Sequence, residues 1–144
     1  MLYSLSKEPY EPLDKRSIQL LTYKTFFLVL RASGRRRSDV HALDISRVEF
    51  DRNDESVSLY PSRSLLAKTR AVTEGSAAFA PIKIQSLKAF VGINEPDSCL
   101  CPVRALREDI SRTREFRKGR NRLFISVQPK RSSTLVGHWL ARIM

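Results

Sequence analysis

Three consecutive arginines are the residues of this chain best suited to phosphate chemistry. Arg35, Arg36 and Arg37 follow Gly34, and a carboxylate, Asp39, stands shortly after them. A guanidinium presents paired N–H donors in one plane, which match two oxygens of a phosphate. Held rigidly, it stabilises the negative charge that builds up on a phosphodiester during strand exchange. The alternative is a solvated basic patch that touches phosphates at most.

Further cations follow at two later places in the chain. Lys68 and Arg70 lie in or just after a predicted turn over residues 64–69. A second group stands where a predicted helix ends, and we expect phosphate contacts there from Arg114, Arg117, Lys118, Arg120 and Arg122. A charged helix face that is only solvated is the alternative for this group.

The charge balance favours a polyanionic partner. The chain has 26 Lys plus Arg against 15 Asp plus Glu, a formal net charge of +11. Such an excess indicates nucleic acid as the partner, whereas the alternatives are an acidic membrane surface or a basic protein kept soluble by its charge. The 42% of hydrophobic residues exclude a wholly disordered chain and predict a packed core.

Cysteine and histidine content argues against a metal site or a disulfide framework. Cys99 and Cys101 are too close in sequence for an unstrained bridge, and His41 and His138 are far apart. We therefore expect no metal and no cofactor. No stretch resembles a signal peptide or a membrane span, which predicts a soluble, intracellular protein without membrane contact, nuclear if the source is eukaryotic.

The elements that position these residues are mostly helical. We read residues 1–12 as an irregular lead-in, followed by one domain over residues 13–144. Asp14 is predicted to cap a central helix over residues 15–32, Gly34 to end it, and Ser38 to cap a short second helix.

After the second helix the hydrophobic period changes to that of strands. Apolar and polar residues alternate near Val48 and again near Val57, which predicts a hairpin, and residues 79–84 predict a third strand with Pro81 at a sheet edge. A short helix over residues 86–91, a helix beginning at Pro102 and stopped by Gly119, an extended run over residues 123–127 and a helix capped by Ser133 complete the outline. The fold class is thus α+β, mainly α, with a small three-stranded antiparallel sheet.

Residues 32–43 resemble the first arginine box of tyrosine recombinases, the phage-integrase-like DNA strand-exchange enzymes. The box has a small residue and Gly, then any residue, Arg, any residue, Ser or Thr, and an acidic residue before apolar positions. The resemblance puts the family's first catalytic arginine on Arg36 and its acidic partner on Asp39, which would orient Arg36 through a charge-assisted bond.

Two further segments carry the same resemblance. Residues 64–69 are similar to the strand turn that bears the family's catalytic lysine, here Lys68, which in that family acts as general acid toward the leaving 5′ oxygen. Residues 100–106 and 120–126 are similar to recombinases of eukaryotic mobile elements. The resemblance implies DNA as the partner, allows a homo-oligomer on DNA, and implies a role in DNA recombination and integration.

Other parts of the family site have no counterpart in the sequence. Three residues after His138 stands Ala141 where a His-x-x-Arg box needs Arg, and every tyrosine precedes Lys68, so none is assigned as nucleophile. We therefore expect a fragment of the catalytic domain, truncated at its carboxyl end, that binds DNA but does not exchange strands alone. The alternative is a non-enzymatic basic nucleic-acid-binding or interaction module.

Overall fold

A computed structural model describes residues 2–63, 80–91 and 96–125, and its centre is helix α1, Ile18–Ser33. Residues 21–29 are all buried, as a helix covered on several sides requires. Gly34 ends α1 in the left-handed conformation with φ of 62°, which confirms the predicted stop. The predicted cap is wrong: the Ser17 hydroxyl accepts from the Leu20 amide (3.3 Å), whereas Asp14 lies in a separate 3-10 turn, Leu13–Lys15.

The short helix α2, Arg37–His41, follows the bend after α1. Arg36 is its N-cap residue, with extended φ and ψ of −72° and 152° and no side-chain cap. Ser38, the predicted cap, therefore lies inside the first turn. The helix therefore begins two residues earlier than predicted, at Arg37 instead of Asp39.

Three antiparallel strands follow in the order β1, β2, β3, with bounds Glu49–Phe50, Ser56–Leu59 and Ile82–Gln85. Val57 pairs with Phe50 on one side and with Ile84 on the other. In β3 the apolar Ile82 and Ile84 are buried and the residues between them are exposed. The hairpin and the edge position of the third strand are confirmed, and β3 begins after Pro81, which has no amide hydrogen to donate to a ladder.

Helix α3, Pro102–Thr113, packs along α1. Pro102 occupies the first turn as predicted, and Val103, Leu106 and Thr113 are all buried. A 3-10 turn, Arg114–Phe116, continues α3, so the helix ends before Gly119, the predicted stop. Gly119 instead supplies a left-handed turn with φ of 79° beyond it.

The amino-terminal segment is part of the packed structure and not a lead-in outside it. A 3-10 helix, Leu2–Ser6, opens the segment, and Leu5 and Leu13 are 2% and 4% exposed within the common core. Glu11 forms ion pairs with Lys24 of α1 and Arg104 of α3. A boundary drawn at residue 12 or 13 therefore differs from the structure, because the core extends back at least to Leu5.

The remaining predicted elements are described only in part. Residues 86–91 contain a 3-10 helix, Leu87–Ala89, capped by the Ser86 hydroxyl, instead of an α-helix. The turn over residues 64–69, the start of the predicted third strand at residue 79 and the helix predicted from Ser133 lie outside the described residues. The architecture that is described is mixed α+β with a three-stranded antiparallel sheet, as predicted. Within it we find no helix with the length and apolar character that crossing a bilayer demands.

Candidate nucleic-acid interface

The bend between α1 and α2 presents the three arginines at the surface. Gly34 reverses the chain, after which Arg36 and Arg37 are exposed and Arg35 is half-buried. Within the described ranges no hydrogen bond or ion pair joins the side chains of Arg36 and Asp39, so the expected orienting bond is not formed. The reason is positional, because Arg36 precedes α2 and points into solvent while Asp39 lies in its first turn.

A second basic segment, residues 118–122, lies beside the chain that leaves α2. The Ile45 amide donates to the Asn121 carbonyl (2.9 Å), and the Leu123 amide donates to the Leu43 carbonyl (2.9 Å). Lys118 and Arg120 of this segment are exposed. These backbone bonds bring together two runs of cations that are far apart in sequence. We call residues 35–37 and 118–122 together the basic double loop.

Arg117 does not belong to the basic double loop, contrary to the prediction that it contacts phosphate. It is 8% exposed, and its guanidinium donates to the carbonyls of Arg122 (2.8 Å) and Leu123 (2.9 Å) and to the Thr113 hydroxyl (2.9 Å). Burial lowers the pKa of Arg117, and the nearby Asp109 carboxyl offsets part of that shift. Arg117 therefore holds the second loop in place from beneath.

His41, at the end of α2, is the point where the two loops meet. Its ring lies 4.9 Å from the Phe26 ring, and Phe26 in turn meets Phe124 edge-on at 5.0 Å. Burial lowers the pKa of His41, and the positive charges of Arg122 and Arg37 lower it further. One arginine from each loop thus lies close enough to act on the same imidazole.

In the sequence, His41 was considered only as a metal ligand, and no partner ligands supported that role. A signal for its place was present, since Arg37 and His41 are one helical turn apart and so share a face of α2. Arg122 was among the predicted phosphate contacts, but no local pattern indicated its place near His41, because that place depends on pairing with residues near Leu43.

The other predicted contacts fall into two groups. Arg114 is exposed on the 3-10 turn after α3, near the start of the second loop. Lys68 and Arg70 lie outside the described residues, so the general-acid role of Lys68 and the phosphate contact of Arg70 stay predictions.

A cavity of about 310 Å³ lies elsewhere, between the β1–β2 turn, the segment around the 3-10 helix Leu87–Ala89 and the first half of α3. Its walls include the apolar side chains of Leu87, Val91 and Val103. Its two arginines are already engaged, Arg104 with Glu11 and Arg107 with Asp54. The cavity is lined by carboxylates as well as cations, Asp54 and Glu108 among them, whereas the basic double loop contains no carboxylate.

Metal binding has no site in the part of the chain that the structure describes. No three His, Cys, Asp or Glu side chains come together there in a way that could hold an ion. The thiols of Cys99 and Cys101 are both free, and the Cys101 sulfur lies 3.3 Å from the Ser86 hydroxyl.

Comparison of the chain with protein-family models, with curated proteins and with solved structures found no match. The likeness to tyrosine recombinases therefore rests on the sequence motifs alone.

Proposed function

We propose that this chain binds DNA by contacting backbone phosphates through the basic double loop, and that it serves DNA recombination or integration of the tyrosine recombinase type. The observation that carries the DNA-binding proposal is the backbone pairing that brings two basic segments together, with the Ile45 amide donating to the Asn121 carbonyl and the Leu123 amide to the Leu43 carbonyl. The positive charges of Arg37 and Arg122, one from each segment, both act on the His41 imidazole. Guanidinium groups on two adjoining segments suit the charge and the donor pattern of a phosphodiester.

The net charge supports the same partner. Fixed cations on two adjoining loops attract a polyanion over a range of about 10 Å at 0.1 M salt. Phosphate contacts of this kind position a protein on DNA but read no sequence. Binding that depends weakly on sequence and strongly on salt is therefore expected.

Arg36 is the residue that links binding to recombinase chemistry in this proposal. It is exposed beside Arg37, where a phosphate held by the loop is within reach of its donors. Because the sequence assigns no tyrosine nucleophile, the proposal for this chain is to hold and polarise the phosphate, and it includes no covalent step.

A second candidate function is a non-enzymatic nucleic-acid-binding module. One observation favours it: Asp39 makes no bond to Arg36, although a catalytic arginine needs a fixed orientation. In a binding module, Arg36 would be one phosphate contact among several and would need no orienting partner.

Salt-dependent binding of a labelled duplex tests the DNA-binding proposal. Fluorescence anisotropy at several salt concentrations should show log affinity falling by roughly 0.9 per log of salt for each phosphate neutralised. The R37A/R122A variant should lose at least about tenfold in affinity and show a shallower slope.

The matched control is R52A/K83A, which removes the same charge from exposed residues of the β1–β2 turn and β3. It should stay within about twofold of the natural chain if the effect is local to the basic double loop. Equal losses in the two variants, or a slope near zero, would refute the proposed interface.

A nicked suicide substrate separates the two candidate functions. The binding proposals expect no protein–DNA covalent adduct on a denaturing gel. An adduct would reveal a nucleophile that the sequence analysis did not assign and would exclude the non-enzymatic module. In the absence of an adduct, the variants R36A and R36K separate the two functions. If Arg36 polarises the phosphate, both variants should slow DNA cleavage in a complete recombinase complex far more than they weaken DNA binding. If the chain is a binding module, both variants should weaken DNA binding by equal, small amounts.

A further inference from the structure

We infer that His41 is itself a phosphate contact of the basic double loop, donating a hydrogen bond from Nε2 of a neutral imidazole to an oxygen of the phosphate held near Arg37 and Arg122. This inference deepens the proposed function and rests on it. The contact from His41 carries no charge, whereas the other proposed contacts of the basic double loop are cations.

The position of the ring supports the assignment. His41 is half-buried, and its face is fixed by Phe26 at 4.9 Å, so the ring has little freedom to turn away. Nδ1 is buried and has no hydrogen-bond partner among the described residues. The capacity of the ring to bind a ligand therefore resides at Nε2, on the opposite side.

Burial and the charges around the ring favour its neutral form. Burial lowers the pKa of His41 most, and the positive charges of Arg122, in the segment paired with residues 43–45, and of Arg37, on the same helix, lower it further. The nearest carboxylates in sequence are Asp39 of α2 and Asp44, and the Asp44 carboxylate already accepts from the Ser46 amide (2.9 Å) and hydroxyl (2.7 Å). Phe26, which α1 places against the ring, is apolar, and Phe124 packs on Phe26.

The site of the remaining proton follows from burial. A neutral imidazole has one N–H donor and one acceptor nitrogen. A buried donor without an acceptor costs about 1–3 kcal/mol, so the proton is better held at Nε2, which can reach solvent or a ligand. Protonation of both nitrogens would bury that unsatisfied donor beside two arginines, which disfavours the imidazolium form.

A neutral hydrogen-bond donor and a cationic contact affect the salt dependence of DNA affinity differently. Each cation that neutralises a phosphate releases counterions and adds about 0.9 to the slope, whereas a neutral hydrogen bond adds affinity without changing the slope. The same donor predicts an affinity that does not change as pH falls from 8 to 6.5.

Three substitutions of His41 test the inference by anisotropy with the same duplex. H41F keeps an aromatic ring against Phe26 but has no donor, and it should bind about fivefold more weakly with the slope of the natural chain. H41Q retains a side-chain N–H near the position of Nε2 and should stay within about twofold. H41L serves in place of H41F if that variant does not melt cooperatively.

R122A is the cationic reference, and its slope should fall by about 0.9. The inference would be overturned if H41F or H41L bound DNA normally, or if their salt slope fell as it does in R122A. It would also be overturned if the affinity of the natural chain rose several-fold as pH falls from 8 to 6.5. If the natural chain and R122A show no salt-dependent binding, the proposed function fails, and the inference fails with it. If both behave as proposed while H41F binds normally, the inference alone is wrong.

Discussion

Arg114 and Arg117 show at the residue scale how differently two neighbouring cations are used. They lie one turn apart after α3, yet Arg114 is exposed and Arg117 is buried with its donors on two carbonyls and a hydroxyl. Those carbonyls, of Arg122 and Leu123, belong to the second half of the basic double loop. The buried arginine therefore holds the loop in place and is not itself open to a ligand.

Replacing Arg117 should consequently destabilise the fold. R117A leaves buried acceptors without donors and should lower the free energy of unfolding by about 2–4 kcal/mol in urea denaturation. The matched variant R114A removes the same charge from an exposed position and should change it by less than about 0.5 kcal/mol. Similar stability of the two variants would contradict a structural role for Arg117.

Asp109 is a buried carboxyl that the fold satisfies only in part. It is 1% exposed, its Oδ1 accepts from the Thr22 hydroxyl (2.7 Å), and its Oδ2 has no partner among the described residues. Burial raises the pKa of Asp109 to about 6, although Thr22, Arg117 and Arg112 act in the opposite direction. The folded state therefore favours the neutral carboxyl more than the unfolded chain does, and the neutral form predominates below about pH 6.

The stability of the protein should depend on pH through this group. Because the folded pKa lies above the ordinary 3.8, the stabilisation is complete below that value and is lost as pH rises through about 6. Between pH 4 and 8 the natural chain should lose about 2 kcal/mol relative to D109N, whose amide does not ionise. Parallel pH profiles of the two proteins in urea denaturation would show that the carboxyl does not titrate in this way.

At the element scale, Glu11 connects the amino-terminal segment to both long helices. Arg104 of α3 donates to its two carboxylate oxygens at 3.0 and 3.2 Å, and Lys24 of α1, which is fully buried, pairs with the same group. Burial raises the pKa of Glu11, but the hydrogen bonds from Arg104 and Lys24 outweigh it and leave the pKa below 4.5. This contribution to stability is present above pH 4.5 and is lost as pH falls through the lowered pKa.

Removing Glu11 should therefore strongly lower the stability of the fold. E11A leaves the Lys24 ammonium buried without a partner and should destabilise the chain by about 3–5 kcal/mol in urea denaturation. E11A/K24M removes both charges and should recover much of the loss. The control E8A breaks the exposed pair with Arg16 and should cost less than about 1 kcal/mol. An E11A variant as stable as E8A would refute the connecting role of Glu11.

At the scale of the whole molecule, the net charge of +11 is the dominant electrostatic feature. A chain with so few balancing carboxylates repels itself when folded, and a bound polyanion relieves that repulsion. Binding to the folded form alone also stabilises it by mass action.

Duplex DNA should accordingly raise the unfolding temperature. At a free concentration of about 100 times Kd the expected gain is roughly 2.7 kcal/mol, which calorimetry at low salt resolves as a shift of several degrees. The shift should shrink at high salt and in R37A/R122A, and it should persist in R52A/K83A. An unchanged unfolding temperature at low salt would contradict binding to the folded state.

Much of the local structure was predictable from the sequence because its causes are local. Gly34 ends α1 since glycine adopts a positive φ without a steric penalty, and Pro102 begins α3 since a first-turn residue needs no amide hydrogen. Alternation around Val57 predicted the hairpin, because successive side chains of a strand point to opposite faces. The triple arginine was recognisable as a phosphate-binding candidate from residue type alone.

Tertiary contacts decided the rest, because each depends on a partner that is remote in sequence. Arg117 is buried only because the carbonyls of Arg122 and Leu123 fold back onto it, and the amino-terminal segment is ordered onto the domain through Glu11, Lys24 and Arg104. A charge pattern cannot distinguish an arginine that meets solvent from one that meets carbonyls, since both occur on equally polar stretches. The residue types of the candidate site were therefore evident in the sequence, whereas the meeting of its two loops at His41 was fixed only by backbone pairing between distant segments.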